Sequence, residues 1–301
     1  MTIEAPRTAE SAEATTVAPV TAVHRISTGS GEQHAEHRRG SALPRLWWAL
    51  TSRSWIKIPI NVYVIEHRAG LVLFDTGLNP AISSDPHYIS SAIGRLFLKR
   101  LFRLHIGPED GLGRQLATRG FDAADVRTAV ISHLHFDHVG GISELPNAEL
   151  LVSAKEWDRL SGSQPERDWI LREHIEIPGM KWRPIEFEPM DDPLVALFGG
   201  GYDVAGDGSM ILLPTPGHTP GSMSMLVRSS GLPPILLIGD LTYETELLMK
   251  DTVPGVGEPA QLRASFAKVR ALKERLPGLV ILAAHEPGLD STIRPHGVSS
   301  Q

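Results

Sequence analysis

The segment Ser132-His133-Leu134-His135-Phe136-Asp137-His138-Val139-Gly140-Gly141 constrains this chain more than any other. It places three histidines and one aspartate within six residues, directly after an apolar run that reads as a buried strand, 128–132. A strand end holds the chain rigidly, and the loop beyond it can turn several side chains toward one point. Imidazole nitrogens and a carboxylate suit zinc and related divalent metals, at about 2.0–2.2 Å for zinc. Six residues can hardly enclose one ion with four ligands in tetrahedral geometry, so the crowding points to two adjacent metals sharing the segment. A solvated histidine-rich loop is the bland alternative. The Gly-Gly and the preceding apolar strand argue against it.

Composition narrows the class further. The chain has 301 residues, enough for one large domain or two ordinary ones. Hydrophobic residues make up 42% and charged residues 21%, which supplies a substantial core. With 29 Lys+Arg against 35 Asp+Glu the net charge is −6, so no basic footprint for nucleic acid is present. The same balance speaks weakly against a polyanionic substrate. The absence of cysteine excludes disulfides, thiolate metal sites and cysteine nucleophiles. Apolar runs fall far short of the roughly 20 residues a spanning helix needs. The first fourteen residues carry three Glu against one Arg and no apolar stretch, unlike a secretory signal. Arg38-Arg39 suggests a twin-arginine signal, but Pro44 and Arg45 interrupt the apolar stretch behind it. The expectation is a cytoplasmic protein with no nucleic-acid or membrane partner.

Residues 1–19, rich in Ala, Thr, Glu and Pro without periodicity, read as a disordered tail, and 20–301 as a single domain. Strands are predicted over 20–28, 58–66, 71–75, 128–132, 150–153, 210–213, 222–227, 235–238 and 279–283. Residues 88–104 carry apolar side chains at mostly helical spacing. The clearest helix is 259–275, with Leu262, Phe266, Val269 and Leu272 on one face. Strands with interspersed helices suggest layered α/β packing.

HLHFDHVGG resembles the signature of the metallo-β-lactamase fold superfamily. Other elements stand in that superfamily's order: Asp75-Thr76-Gly77, Thr215-Pro-Gly-His218-Thr-Pro-Gly221, Gly239-Asp240 and Ala284-His285. The resemblance runs from about residue 56 to 286. It implies an αββα sandwich of two mixed β-sheets flanked by helices, with the metal site at one edge. It further implies that His133, His135 and His218 bind one metal, that Asp137, His138 and His285 bind a second, and that Asp240 bridges both. Zinc is the first expectation for the two ions, with Mn, Fe or Co accepted by the same donors. Asp75 either orients a ligand or simply caps its turn. The remaining histidines, His34 and His37 among them, match no element and are expected to be background.

Within the superfamily, Asp240-Leu-Thr-Tyr243 resembles the Asp-x-x-Tyr of the N-acyl-homoserine lactonases. That likeness implies a quorum-quenching hydrolase that opens a lactone ring by attack of a bridging hydroxide. Tyr243 would donate a hydrogen bond to the substrate carbonyl, and Asp137 would pass a proton to the leaving alkoxide. An ordinary amphipathic-helix role for Tyr243 is the alternative. A glyoxalase II-like thioesterase or another ester hydrolase of the same fold is the rival enzyme, though only sixteen residues follow His285. A metal-stabilised binding module without catalysis is a third reading. The substrate partner would be a small lactone or ester with an apolar acyl chain, and a homodimer is left open. Leu46, Trp47, Trp48 and the 89–104 segment could line or cover an acyl groove, or serve core or dimer packing. Residues 83–106 and 155–200 look like places where length varies.

Overall fold

The computed structural model describes residues 18–288 and 291–294, so residues 1–17 of the predicted tail lie outside the described residues. In chain order the strands are β1 (Val20–His34), β2 (Trp55–His67), β3 (Gly70–Phe74), β4 (Phe102–His105), β5 (Val126–Val130), β6 (Glu149–Ser153), β7 (Lys181–Ile185), β8 (Tyr202–Asp203), β9 (Met210–Pro214), β10 (Met223–Val227), β11 (Ile235–Leu237), β12 (Val280–Leu282) and β13 (Ser291–Ile293). The α-helices are α1 (Ala35–Arg39), α2 (Arg45–Thr51), α3 (Ala81–Ser84), α4 (Ala92–Leu101), α5 (Leu112–Ala117), α6 (Phe136–Val139), α7 (Ala154–Trp157), α8 (Thr245–Met249) and α9 (Pro259–Arg275). One sheet runs β13-β1-β2-β3-β5-β6-β7, with β4 paired to the far half of β1; the other runs β12-β11-β10-β9-β8. Both are mixed: β3, β5, β6 and β7 are parallel neighbours, as are β11 and β12, and the remaining pairs are antiparallel.

Alternation along the strands builds the layers. Tyr63 and Ile65 of β2 pack toward the small sheet, against Met225 and Leu237 among others. Val62 and Val64 point the other way, into a cluster with Leu112 and Leu116 of α5. In β9, Met210 and Leu212 face the large sheet, while Ile211 and Leu213 meet Leu262, Phe266, Val269 and Leu272 of α9. All four α9 side chains are fully buried. Each such burial contributes about 1.5–3 kcal/mol. The α9 helix begins where Glu258 accepts a hydrogen bond from the Ala260 amide and Pro259 takes the first helical position. The result is the αββα sandwich, two sheets face to face with helices outside.

The segment 88–104 departs from its helical pattern. The α4 helix, opened by Ser91 accepting from the Gly94 amide, stops at Leu101, and Phe102–His105 becomes a strand. Its pairing partner is not local. β1 continues past the predicted end at residue 28, through an irregularity between Ser27 and Ser30, as far as His34. That extension exposes a sheet edge, and β4 covers it in the register Gln33↔Phe102 to Ser30↔His105. Strands β4, β7, β8 and β13 carry no pattern strong enough to be predicted from sequence.

All the predicted metal residues lie just beyond strand C-termini at one edge of the sandwich. Asp75 follows β3, His133 to His138 follow β5, His218 follows β9, Asp240 follows β11 and His285 follows β12.

Candidate metal centre

Three groups of side chains converge there, each able to hold a metal ion: His133/His135/His218, His133/His138/Asp240 and Asp137/His138/His285. His133 Nε2 and His218 Nε2 lie 3.0 Å and 3.1 Å from His135 Nδ1. Asp240 faces both sides of the centre. Its Oδ2 is 3.4 Å from His218 Nε2, and its Oδ1 is 3.1 Å from His285 Nε2 and 3.4 Å from His138 Nε2. Asp137 approaches His285 Nε2 at 3.6 Å and His138 Nε2 at 3.8 Å. All seven predicted residues are therefore brought together. The surface-residue alternative for His218 is excluded, since its side chain is 5% exposed.

Hydrogen bonds behind the rings aim their nitrogens. Asp75 has φ 64°, a left-handed conformation that aspartate tolerates better than most residues. From there it accepts from the Ser132 amide (2.7 Å), the Ser132 hydroxyl (2.9 Å) and His138 Nδ1–H (2.9 Å). The Ser132 hydroxyl in turn accepts from His133 Nδ1–H at 3.0 Å. His285 Nδ1–H donates to the Pro59 carbonyl of β2 at 2.8 Å. With Nδ1 engaged in these bonds, the Nε2 of each of these three rings faces the centre, where a proton or a cation can sit on it. Asp75 thus orients His138 as well as shaping its turn.

These facing acceptors test whether a metal fits. His138 Nε2 and Asp240 Oδ1 are fully buried and take part in no hydrogen bond. A bare imidazole lone pair 3.1 Å from a carboxylate oxygen, as at His285 and Asp240, is repulsive unless a proton or a cation sits between them. The donor set, imidazoles with bridging and terminal carboxylates, is that of a divalent-metal site. The residues fit the group.

Electrostatics divide the centre. Burial and the neighbouring imidazoles hold His133 and His135 well below the usual histidine range, and burial lowers His218. These three are neutral and ready to ligate. At His138 burial acts downward, but Asp75, Asp240 and Asp137 outweigh it and hold the ring well above its ordinary value. Asp240 likewise raises His285 against the effect of burial. The positive potential is returned to Asp240, whose carboxyl stays well below the usual range although burial opposes this.

Close packing explains the Gly-Gly. A Cβ on Gly140 would lie 2.3 Å from the Asn79 amide nitrogen and 2.6 Å from the Gly77 carbonyl; one on Gly141 would lie 2.5 Å from the Thr76 carbonyl. The 75–79 turn rests directly on these glycines, and the amide and hydroxyl of Thr76 both donate to the His138 carbonyl at 2.8 Å.

Tyr243 sits in the turn before α8, not on a helix, and its side chain is 4% exposed. Its ring stacks on His285 with centroids 5.4 Å apart and planes 20° from parallel. Burial, then Asp240 and Asp137, push the phenol well above its ordinary value, so it stays protonated.

Some residues at the centre carried no sequence signal. Glu156 is fully buried and ties two ligand loops together: it accepts from the Leu134 amide (3.2 Å), the Thr219 hydroxyl (2.7 Å) and the Gly221 amide (3.2 Å). Arg159 balances its charge at 2.7 Å. His34 and His37, expected to be background, are both buried. His37 stands in the wall of the site's cavity, edge-on to Trp48. That cavity has a volume of about 1520 Å³ and opens from Asp240, His285 and Tyr243 past Phe136, Trp169 and Phe97.

The chain belongs to the metallo-beta-lactamase superfamily, which residues 56–285 match. Among curated relatives, N-acyl homoserine lactonase AttM of Agrobacterium fabrum is 31% identical over 237 residues, covering 77% of this chain and 83% of the relative. An N-acyl homoserine lactonase of a Bacillus species is 28% identical over 75% of this chain and 79% of its own length. The fold matches a solved N-acyl homoserine lactone hydrolase with N-hexanoyl-L-homoserine at its catalytic metal centre, at TM-score 0.71 and 24% identity, over 89% of this chain and 94% of that one. AidC, a dizinc quorum-quenching lactonase, matches at TM-score 0.56 and 20% identity, over 88% and 87%.

Proposed function

We propose that residues 20–301 form one hydrolase domain that opens the lactone ring of N-acyl homoserine lactones and so quenches signalling by them. Tyr243 carries this reading: it stacks on His285 beside Asp240, at the inner end of a cavity of about 1520 Å³ that has room for an acyl chain. The 31%-identical AttM lactonase supports the same substrate class. His133, His135 and His218 would hold one divalent ion, Asp137, His138 and His285 a second, with Asp240 shared and zinc the expected metal. Bound there, such ions supply Lewis acidity, polarising a carbonyl and lowering the pKa of water.

The chain's own residues do the rest. Asp75 and Ser132 engage the His138 and His133 Nδ1 atoms and so hold the two rings with Nε2 toward the centre. Tyr243 donates a hydrogen bond from its phenol, which keeps its proton, to the oxygen on which charge develops. Asp137, the most exposed carboxylate of the centre at 17%, takes up the proton that the attacking water gives up and passes it to the alkoxide released when the ring C–O bond breaks. Water adds across the ester, and the product is the ring-opened N-acyl homoserine. Phe97, Leu101, Phe136, Trp169 and Leu171 offer the acyl tail an apolar wall.

Proton release distinguishes the readings. Purified, metal-quantified protein is given N-acyl homoserine lactones of short and long chain, with S-lactoylglutathione and simple aryl esters as comparators. Preference for the homoserine lactones is expected. Preference for the thioester would reassign the site to a glyoxalase II-like reaction.

A further inference from the structure

The rim of the cavity formed by α2 and α4 leaves large apolar side chains in solvent. Leu43, Leu46, Trp47 and Leu50 are 52–65% exposed, and Ile93 and Leu96 about 70%. On α4 the spacing 93, 96, 97 places Ile93, Leu96 and Phe97 on one face, while Leu98 is buried against the body. Leu46, Ile93 and Phe97 also line the cavity, so this patch is continuous with the path to the site.

Charge is distributed unevenly around it. The stretches 40–65 and 86–108 hold Arg45, Arg53, Lys57, Arg95, Lys99, Arg100 and Arg103 and no Asp or Glu, in a chain of net charge −6. Arg53, Arg100 and Arg103 line a shallow cavity of about 640 Å³ with Trp55. Carboxylates that reach this face include Glu32, paired with Arg103 and His105, Glu36, which accepts from Ser52, Asp85, which accepts from the His87 amide, and Glu173, which accepts from the Ser90 amide. Arg45, Arg53, Lys57 and Lys99 form no ion pair among the described residues, and all four are exposed. Beyond α4 the cavity lining is of mixed charge, Arg159, Arg167 and Arg172 standing among Glu166, Asp168, Glu173 and Glu176, in contrast to the carboxylate-free stretches that carry α2 and α4.

We infer that α2 and α4 form a docking face for an anionic lipid bilayer, with Trp47, Leu50 and Leu96 entering the interfacial layer and the cations meeting headgroup phosphates. Exposed Trp and Leu bordered by Arg and Lys is the composition of an interfacial contact. A second copy is the weaker occupant, because a two-fold contact would set the same unpaired cations against each other. No described helix is long and apolar enough to cross a membrane, so the contact is peripheral. It runs against the expectation from sequence that this chain has no membrane partner. If the proposed lactonase reading holds, the mouth of the site opens where amphiphilic acyl substrates concentrate.

The experiment is co-sedimentation of the full chain with vesicles of phosphatidylcholine alone and of phosphatidylcholine with phosphatidylglycerol, at low and high salt, beside light scattering of the protein alone. Partition onto the anionic vesicles is expected, about tenfold or more weaker at high salt and on the zwitterionic vesicles. Arg53→Glu with Lys99→Glu, and separately Trp47→Ser with Leu96→Ser, should each weaken it by about tenfold or more, with melting curves confirming that both variants fold. Absence of partition, equal partition onto both vesicle types, or a dimer that the Trp47 and Leu96 substitutions dissociate would overturn the inference. None of these readouts uses turnover, so failure here leaves the proposed reaction untouched.

Discussion

Asp75 Oδ2 accepts the Nδ1–H of His138 at 2.9 Å while Asp75 Oδ1 accepts the Ser132 amide at 2.7 Å. One buried carboxylate therefore fixes both the strand-end turn and the direction in which His138 aims Nε2 at the centre. Asp75→Asn keeps a side chain suited to the left-handed backbone but loses the charge that favours Nδ1–H. Metal affinity is expected to fall about 10–100-fold, as read by titration against a chelator, with the melting temperature in the metal-loaded state less affected.

Tyr243 contributes a proton donor and no metal ligand. Tyr243→Phe should lower kcat about 10²–10³-fold while the metal content, read by elemental analysis, stays unchanged. Normal turnover in the Phe variant would remove the phenol from the mechanism.

Gly140 has no room for a methyl group, because the 75–79 turn lies against its backbone. Gly140→Ala should cost about 1–3 kcal/mol of stability and also reduce metal loading, since the turn it displaces carries Asp75. Chemical denaturation with and without added metal separates the two effects.

His37 is pushed down to about 3 by burial, against a backbone hydrogen bond from its Nδ1 to the His34 carbonyl. The folded chain therefore binds this proton less readily than the unfolded one. Stability from this group is complete above the unfolded value of about 6.5 and is lost as pH falls from there toward 3, at about 1.4 kcal/mol per pH unit. Metal-free His37→Leu should show a shallower acid-destabilisation slope in denaturant melts at stepped pH. His133 and His135 act in the same direction, so the slope should decrease without vanishing.

The parts of the centre legible in the sequence are those whose chemistry is written locally. HxHxDH announces the centre because four of its residues share one loop, and the flanking glycines report the close approach of the 75–79 turn. The long helix α9 is equally plain, its periodicity unbroken by any competing partner. The segment 88–104 is not, because Phe102–His105 takes its conformation from an edge of β1 some seventy residues earlier in the chain. Glu156 and His37 are invisible for a related reason. Each owes its role to loops distant in sequence, and neither sits in a pattern that distinguishes it from a surface Glu or His. The apolar side chains of α2 and α4 read in sequence equally as an acyl-groove wall or cover and as core or dimer packing, and only burial shows which of Trp47 and Trp48 points outward.

The most direct test is to strip the chain of metal and titrate zinc back while following N-acyl homoserine lactone opening. Activity absent from the stripped protein, rising with zinc and reaching its plateau at about two ions per chain, is the predicted result. Full lactone turnover by the metal-free chain, or a loaded chain inert toward every lactone offered, would contradict it.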